Sequence, residues 1–169
     1  MSLIAPPDPT WPAQAKAEKA RWFQAVDGLE KIHPIGSTSV PGIPAKPVID
    51  FLCVFDRAAS QLAARPAVEA LDYEWLGEYG LGGRAYARKF DHENGRRLFH
   101  AHCYATNHPD IRRHLAFRDA LRGNAALRAA YTSIKAACAA RNPEGGRLYG
   151  ECKSRWIDKT EALALEFFE

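Results

Sequence analysis

His33-Pro34-Ile35-Gly36-Ser37-Thr38-Ser39-Val40-Pro41-Gly42-Ile43-Pro44-Ala45-Lys46-Pro47-Val48-Ile49-Asp50 is the stretch around which the chain is organised. It holds a Gly-Ser turn, a proline-stiffened loop, one lysine and one aspartate. Val48 to Phe55 then runs almost wholly apolar, as a strand buried on both faces does. Asp50 interrupts that run. A carboxylate near the start of a buried strand needs a partner, a cation or a reaction.

Working outward, Leu29 to Ile35 predicts a short strand leading into Gly36-Ser37, and Pro41, Gly42, Pro44 and Pro47 exclude regular structure between Ser39 and Lys46. Upstream, residues 1–9 read as an extended arm. Thr10 is placed to cap a helix reaching about Val26, with Trp22 and Phe23 as its core contacts. Downstream, residues 57–71 predict a helix interrupted at Pro66, with Leu62, Val68 and Leu71 inward. Tyr73 to Gly77, Arg84 to Phe90 and Arg97 to Tyr104 predict strands. Asn94-Gly95 signals a tight primed turn between the last two. From Pro109 the pattern turns helical. Asn107 or His108 caps a helix running to Gly123, Asn124 caps another ending before Pro143, and a third starts near Gly146. Along this last helix Leu148, Cys152, Trp156, Leu163 and Phe167 recur at helical spacing. The order is that of one α+β domain over residues 1–169, with a sheet region of about 29–105 and a helical region of about 108–168.

Composition bounds the class. A chain of 169 residues with 47% hydrophobic and 25% charged residues suits one globular domain with a real core. A net charge of +3 without long basic runs gives no strong nucleic-acid signal. No apolar run reaches membrane-spanning length and no leader pattern opens the chain, so the expected compartment is the cytoplasm. Cys53, Cys103, Cys138 and Cys152 form no CxxC pair and read as four reduced thiols.

Few residues carry chemistry. Gly36 permits close backbone approach, and Ser37 offers a hydroxyl and an N–H to a phosphate. Nucleotidyltransferases of the polymerase-β type place such a Gly-Ser just before an Asp-x-Asp pair on the next strand, where two carboxylates on one face hold Mg²⁺. Here Asp50 is followed at the second position by Leu52, which argues against ordinary nucleotidyl transfer. His100 and His102 share a face of their predicted strand. With Asp50 they make two histidines and a carboxylate, a donor set for Zn²⁺ or Fe²⁺, although hydrogen-bonded strand histidines are commoner. His114, Arg118 and Arg122 form one helix stripe that either meets an anion or is solvated. Lys46, Lys135 and Lys153, taken singly, read as surface residues.

Together these blocks resemble the GrpB-like family. The run from Ile35 to Asp50 resembles its signature, and Asp8-Pro9-Thr10-Trp11-Pro12 its N-terminal Trp-Pro segment. Arg112-Arg113-His114-Leu115-Ala116-Phe117-Arg118-Asp119 is similar to its central block, and Tyr131-x-x-x-Lys135 and Tyr149-x-x-x-Lys153 to its Tyr/Lys pairs. The resemblance covers nearly the whole chain. It implies a nucleotidyltransferase-like mixed sheet with flanking helices and a helical C-terminal half, in a family largely without an assigned reaction, whose relatives occur fused to dephospho-CoA kinases. It nominates Gly36, Ser37, Lys46, Arg118, Lys135 and Lys153 as ligand or phosphate contacts. Asp50 and His102 become catalytic candidates and Asp91 a substitute for a third carboxylate, while the strand spacing alone makes Asp50, His100 and His102 metal candidates. The implied cofactor is Mg²⁺, and the implied partner is a nucleotide or phosphorylated small molecule. Two functions stand: a divergent nucleotidyltransferase, or a non-catalytic binding module that keeps the pocket.

Overall fold

A computed structural model describes residues 3–168, so residues 1 and 2 of the expected N-terminal arm lie outside the described residues. The elements follow in the order α1 (Trp11–Ala25), β1 (Leu29–Ile35), a 3-10 turn (Ser37–Ser39), β2 (Ile49–Phe55), α2 (Ala58–Ala63), α3 (Arg65–Ala70), β3 (Tyr73–Trp75), β4 (Arg84–Phe90), β5 (Arg97–Ala105), α4 (Pro109–Gly123), α5 (Ala125–Arg141) and α6 (Gly146–Glu166). The five strands form one sheet in the order β1-β2-β5-β4-β3. Only β2 and β5 run parallel; the other pairs are antiparallel, giving a mixed sheet of the α+β class.

The period of two divides β2 between the two faces of the sheet. Phe51, Cys53 and Phe55 face α1 and α3, in a core that includes Trp22, Val68, Ala101 and Cys103. Leu52 and Val54 face the other way, with Ile35 and Tyr104, against Ile111 and Leu115 of α4. A third cluster joins the proline loop to the helical half. Val40 and Ile43 pack with Leu121 and Tyr131, while Trp156 stacks on Tyr131 at 5.2 Å between ring centroids. The helical half is therefore bolted to the sheet through the loop that follows the Gly-Ser turn.

Several local expectations change. Thr10 makes no capping bond with its side chain; Asp8 accepts from Thr10 N and Oγ1 instead. His108 caps α4, its Nδ1 accepting from Asp110 N. Phe23 and Leu62 are exposed, and Gln61 turns inward to donate to the Gly83 and Cys103 carbonyls. On α6 Leu148 and Leu163 are exposed, as is Phe167 just beyond its end, and Tyr149, Thr160 and Glu161 are buried, because packing against α4 and α5 selects a stripe rotated from the apolar one. The Asn94-Gly95 turn is not a two-residue hairpin. The loop closes through Asp91 and Arg96, with Asp91 N donating to Arg96 O. Cys138 and Cys152 are not reduced thiols: a disulfide joins them, since α5 and α6 fold back on each other and present the two residues across their contact. Cys53 and Cys103 are free and buried.

Candidate functional site

The Gly-Ser turn is built to admit Asp50. Gly36 has φ +68°, a conformation that favours glycine, and a Cβ placed there would lie 2.6 Å from Asp50 Oδ2. Its carbonyl accepts from Ser39 N and Oγ, which closes the 3-10 turn. Register then fixes the neighbours: in the parallel pair, Asp50 stands opposite His100 and Leu52 opposite His102. His100 Nδ1 donates to Asp50 Oδ1 at 3.0 Å, and His102 Nε2 lies 3.8 Å from the same oxygen. Burial pushes the Asp50 carboxyl upward, but its two histidine neighbours outweigh that and hold it well below the usual carboxylate range. His100 Nε2 and His102 Nδ1 are buried without hydrogen-bond partners.

In front of Asp50 opens a cavity of about 500 Å³. The 3-10 turn contributes Ser37 and Thr38, the proline loop Lys46, β5 Arg97 and His100, α5 Lys135, and α6 Tyr149 and Lys153. Four cationic side chains thus face two carboxylates, Asp50 and Glu144. The lysines are arranged on aromatic rings. Lys46 and Lys153 lie 4.3 and 4.5 Å from the Tyr149 ring centroid, and Lys135 lies 4.7 Å from that of Tyr131. Lys135 is only 2% exposed, its Nζ donates to Pro44 O, and no carboxylate pairs with it among the described residues. Burial, reinforced by the nearby Lys153 charge, lowers its pKa to about 8. Burial also lowers Lys46 and Lys153, with Arg97 adding to it at Lys46 and Lys46 at Lys153, where Asp50 opposes the shift. The Tyr149 hydroxyl is pushed up to about 12 by burial and by Tyr131. Crowded, partly desolvated ammonium groups of this kind are relieved by an anion placed among them.

Ser37, Lys46, Asp50, His100, Lys135 and Lys153 are thus brought to one cavity. Gly36 supports it from behind. His102 lies beside Asp50 but turns to the rings of Tyr86 and His114, at 5.2 and 5.4 Å, and does not line the cavity. Arg118 is elsewhere, its Nε donating to Asp119 and its Nη1 to Pro34 O. The α4 stripe is not aimed at this cavity, and Arg122 at its end stays exposed to solvent. His114 is half-buried, lowered to about 3 by desolvation and by the charges of His102 and Arg113, and Arg122 donates to Ser39 O. Asp91 is spent in the β4–β5 loop, accepting from Glu93 N and Asn94 Nδ2. Arg97 was missed because it opens β5 as one more charged residue after Arg96. Tyr149 was visible only through its spacing from Lys153.

The donor set does not fit Mg²⁺. One carboxylate oxygen already accepts from an imidazole, the other groups within reach of it are ring nitrogens, and the second carboxylate position is Leu52, fully buried in the core. Among the described residues no group of three or more His, Cys, Asp or Glu is arranged to hold a metal ion. Asp50, His100 and His102 form a hydrogen-bonded cluster at the cavity floor. Among the described residues no helix is long and apolar enough to cross a membrane.

Comparison with known proteins gives a consistent family signal. The family model described as GrpB protein matches residues 3–162. UPF0157 protein YqkA of Bacillus subtilis is 36% identical over 133 residues, covering 79% of this chain but only 38% of that protein. UPF0157 protein PA4798 of Pseudomonas aeruginosa is 32% identical over 96% of this chain and 67% of its own length. A dephospho-CoA kinase of Mycolicibacterium paratuberculosis is 30% identical over 63% of this chain and 28% of that enzyme. The crystal structure of conserved protein GrpB from Enterococcus faecalis superposes with a TM-score of 0.89 at 35% identity, covering 98% of each chain.

Proposed function

The chain belongs to the GrpB family, and from that premise we propose that its lysine-lined cavity binds the phosphate groups of a nucleotide or another phosphorylated small molecule. The observation that carries this reading is the convergence of Lys46, Arg97, Lys135 and Lys153 on one cavity whose wall includes the Ser37 turn. Three of those cations come from elements far apart in sequence, and burial lowers the three lysines there, which a purely structural role does not require. A cavity of about 500 Å³ is of the size that holds a small ligand. Ser37 Oγ and Thr38 would contact phosphate oxygens, the ammonium groups would neutralise them, and Asp50 would hold the floor through His100.

The reading stops at binding. Leu52 in place of a second carboxylate, and Asp50 already bonded to His100, favour an accessory pocket over two-metal nucleotidyl transfer.

The test is a thermal-shift screen of nucleoside triphosphates, pyrophosphate and CoA-type compounds, with and without Mg²⁺. It is run on the native chain and on a Lys46→Ala/Lys153→Ala variant. A ligand bound by the folded state alone raises the midpoint, by an amount that grows with the logarithm of its concentration over its Kd. The expected result is a shift with at least one phosphorylated compound, retained without Mg²⁺ and lost in the variant. No shift with any compound, in a chain that melts cooperatively, removes the proposal. A shift that needs Mg²⁺ and vanishes in Asp50→Asn returns the divergent transferase.

A further inference from the structure

A second cavity, of about 520 Å³, lies across the 3-10 turn from the first. Ser37 lines only the lysine-rich cavity and Ser39 only this one, while Thr38 borders both. Nothing in the phosphate reading uses it.

Its chemistry is different. The floor is made by Trp11, Val40 and Ile49, all buried, and proline rings from the N-terminal segment, α1 and the proline loop make rigid apolar walls. Its charged lining residues are Lys16, Lys19, Arg122 and Asp8. Asp8 is engaged locally, its Oδ1 accepting from Thr10 N at 2.8 Å and Thr10 Oγ1 at 2.7 Å. Arg122 is held in place by donating from Nε and Nη2 to Ser39 O, at 3.0 and 2.8 Å, which leaves Nη1 free of that carbonyl and 4.0 Å from Asp119. Lys16 and Lys19 are one turn apart on α1, with Lys19 also 5.8 Å from the Phe23 ring centroid. Three cations therefore edge a concave apolar surface whose single carboxylate is already occupied.

We propose that this cavity binds a small organic anion, with an apolar body of ring size seated on Trp11, Val40 and Ile49 and one negative group met by Lys16, Lys19 and Arg122. An apolar slot with a few convergent polar groups is the usual form of a small-molecule site. The sign of the charge follows from the rim, and the ring-sized body from rigid proline and indole walls, which lose little freedom when covered. Because Thr38 borders both cavities, the two ligands would sit on opposite sides of one short turn.

The test uses 2-naphthoate and its neutral isostere 2-naphthamide, titrated calorimetrically into the full chain. The expected result is saturable one-to-one binding of naphthoate, with naphthamide roughly fivefold weaker, the factor one partly exposed ion pair supplies. In Lys16→Ala/Lys19→Ala, which leaves Arg122 alone to meet the anion, the preference for naphthoate should shrink; these side chains are outside the core, and a melting curve confirms the fold. Lys46→Ala/Lys153→Ala should leave naphthoate affinity unchanged, which separates this cavity from the phosphate site. The proposal is overturned by absence of saturable binding or by equal affinity for both compounds in the native chain. It is equally overturned if binding is lost in the Lys46/Lys153 variant but kept in the Lys16/Lys19 variant.

Discussion

A methyl group added at Gly36 would meet Asp50 Oδ2 at 2.6 Å, in a conformation that L side chains rarely adopt. Gly36→Ala should therefore cost about 1–3 kcal/mol from this positive-φ extended backbone alone. It should also push Asp50 off His100; urea melts report the first effect and histidine NMR shifts the second. Lys135 is the opposite case, a cation kept where folding alone would not put one. Its depression from 10.5 to about 8 corresponds to about 3 kcal/mol of cost in the unliganded state at neutral pH. The unfolded chain binds this proton more readily, so the cost is full below pH 8 and disappears as pH rises toward 10.5. Lys135→Met should raise the thermal midpoint at pH 7 by an amount that shrinks between pH 8 and 10.5, although losing the bond to Pro44 O offsets part of the gain. The same variant should bind phosphorylated ligand more weakly. A rise in stability with undiminished binding would remove Lys135 from the site.

At the scale of elements, the cavity depends on how α5 and α6 are held together. Lys135 lies one turn before Cys138, and Tyr149 and Lys153 flank Cys152, so the disulfide ties α5 to α6 within a turn of the residues that line the cavity. It closes a loop with a sequence separation of 14, for which chain entropy gives about 3 kcal/mol. Cys152→Ser should lower stability by up to that amount and weaken phosphate-ligand binding in parallel. Unchanged binding at reduced stability would mean that the proline loop, through Val40 and Ile43 against Tyr131, is enough to place the lysines.

Over the whole molecule, positive charge is concentrated rather than abundant: the net charge is only +3, yet four cations share one cavity. Affinity for phosphorylated ligands should accordingly fall as salt is raised from about 0.05 to 0.5 M, while the melting midpoint of the free chain changes little. A salt-insensitive affinity would place the binding energy elsewhere. Much of this architecture was legible in the chain itself. A continuous apolar run marked β2, glycine and proline punctuation marked the loops, and Pro109, Asn124 and Gly146 marked the helix starts, because these are local steric and hydrogen-bonding constraints. The spacing of Asp50, Leu52, His100 and His102 likewise predicted which side chains share a face. What the chain could not declare was pairing at a distance. The parallel register of β2 with β5 sets His100 against Asp50. Packing of α6 buries Tyr149 and leaves Leu148 exposed, and folding of α5 on α6 joins two cysteines that look unrelated in sequence. Arg118 belongs to a resembling block yet is tied to Pro34 and Asp119, while Arg97 carried no pattern and reached the cavity. Local sequence determined the strands, helices and turns; only long-range packing, which selects among several compatible faces, decided which charges would meet.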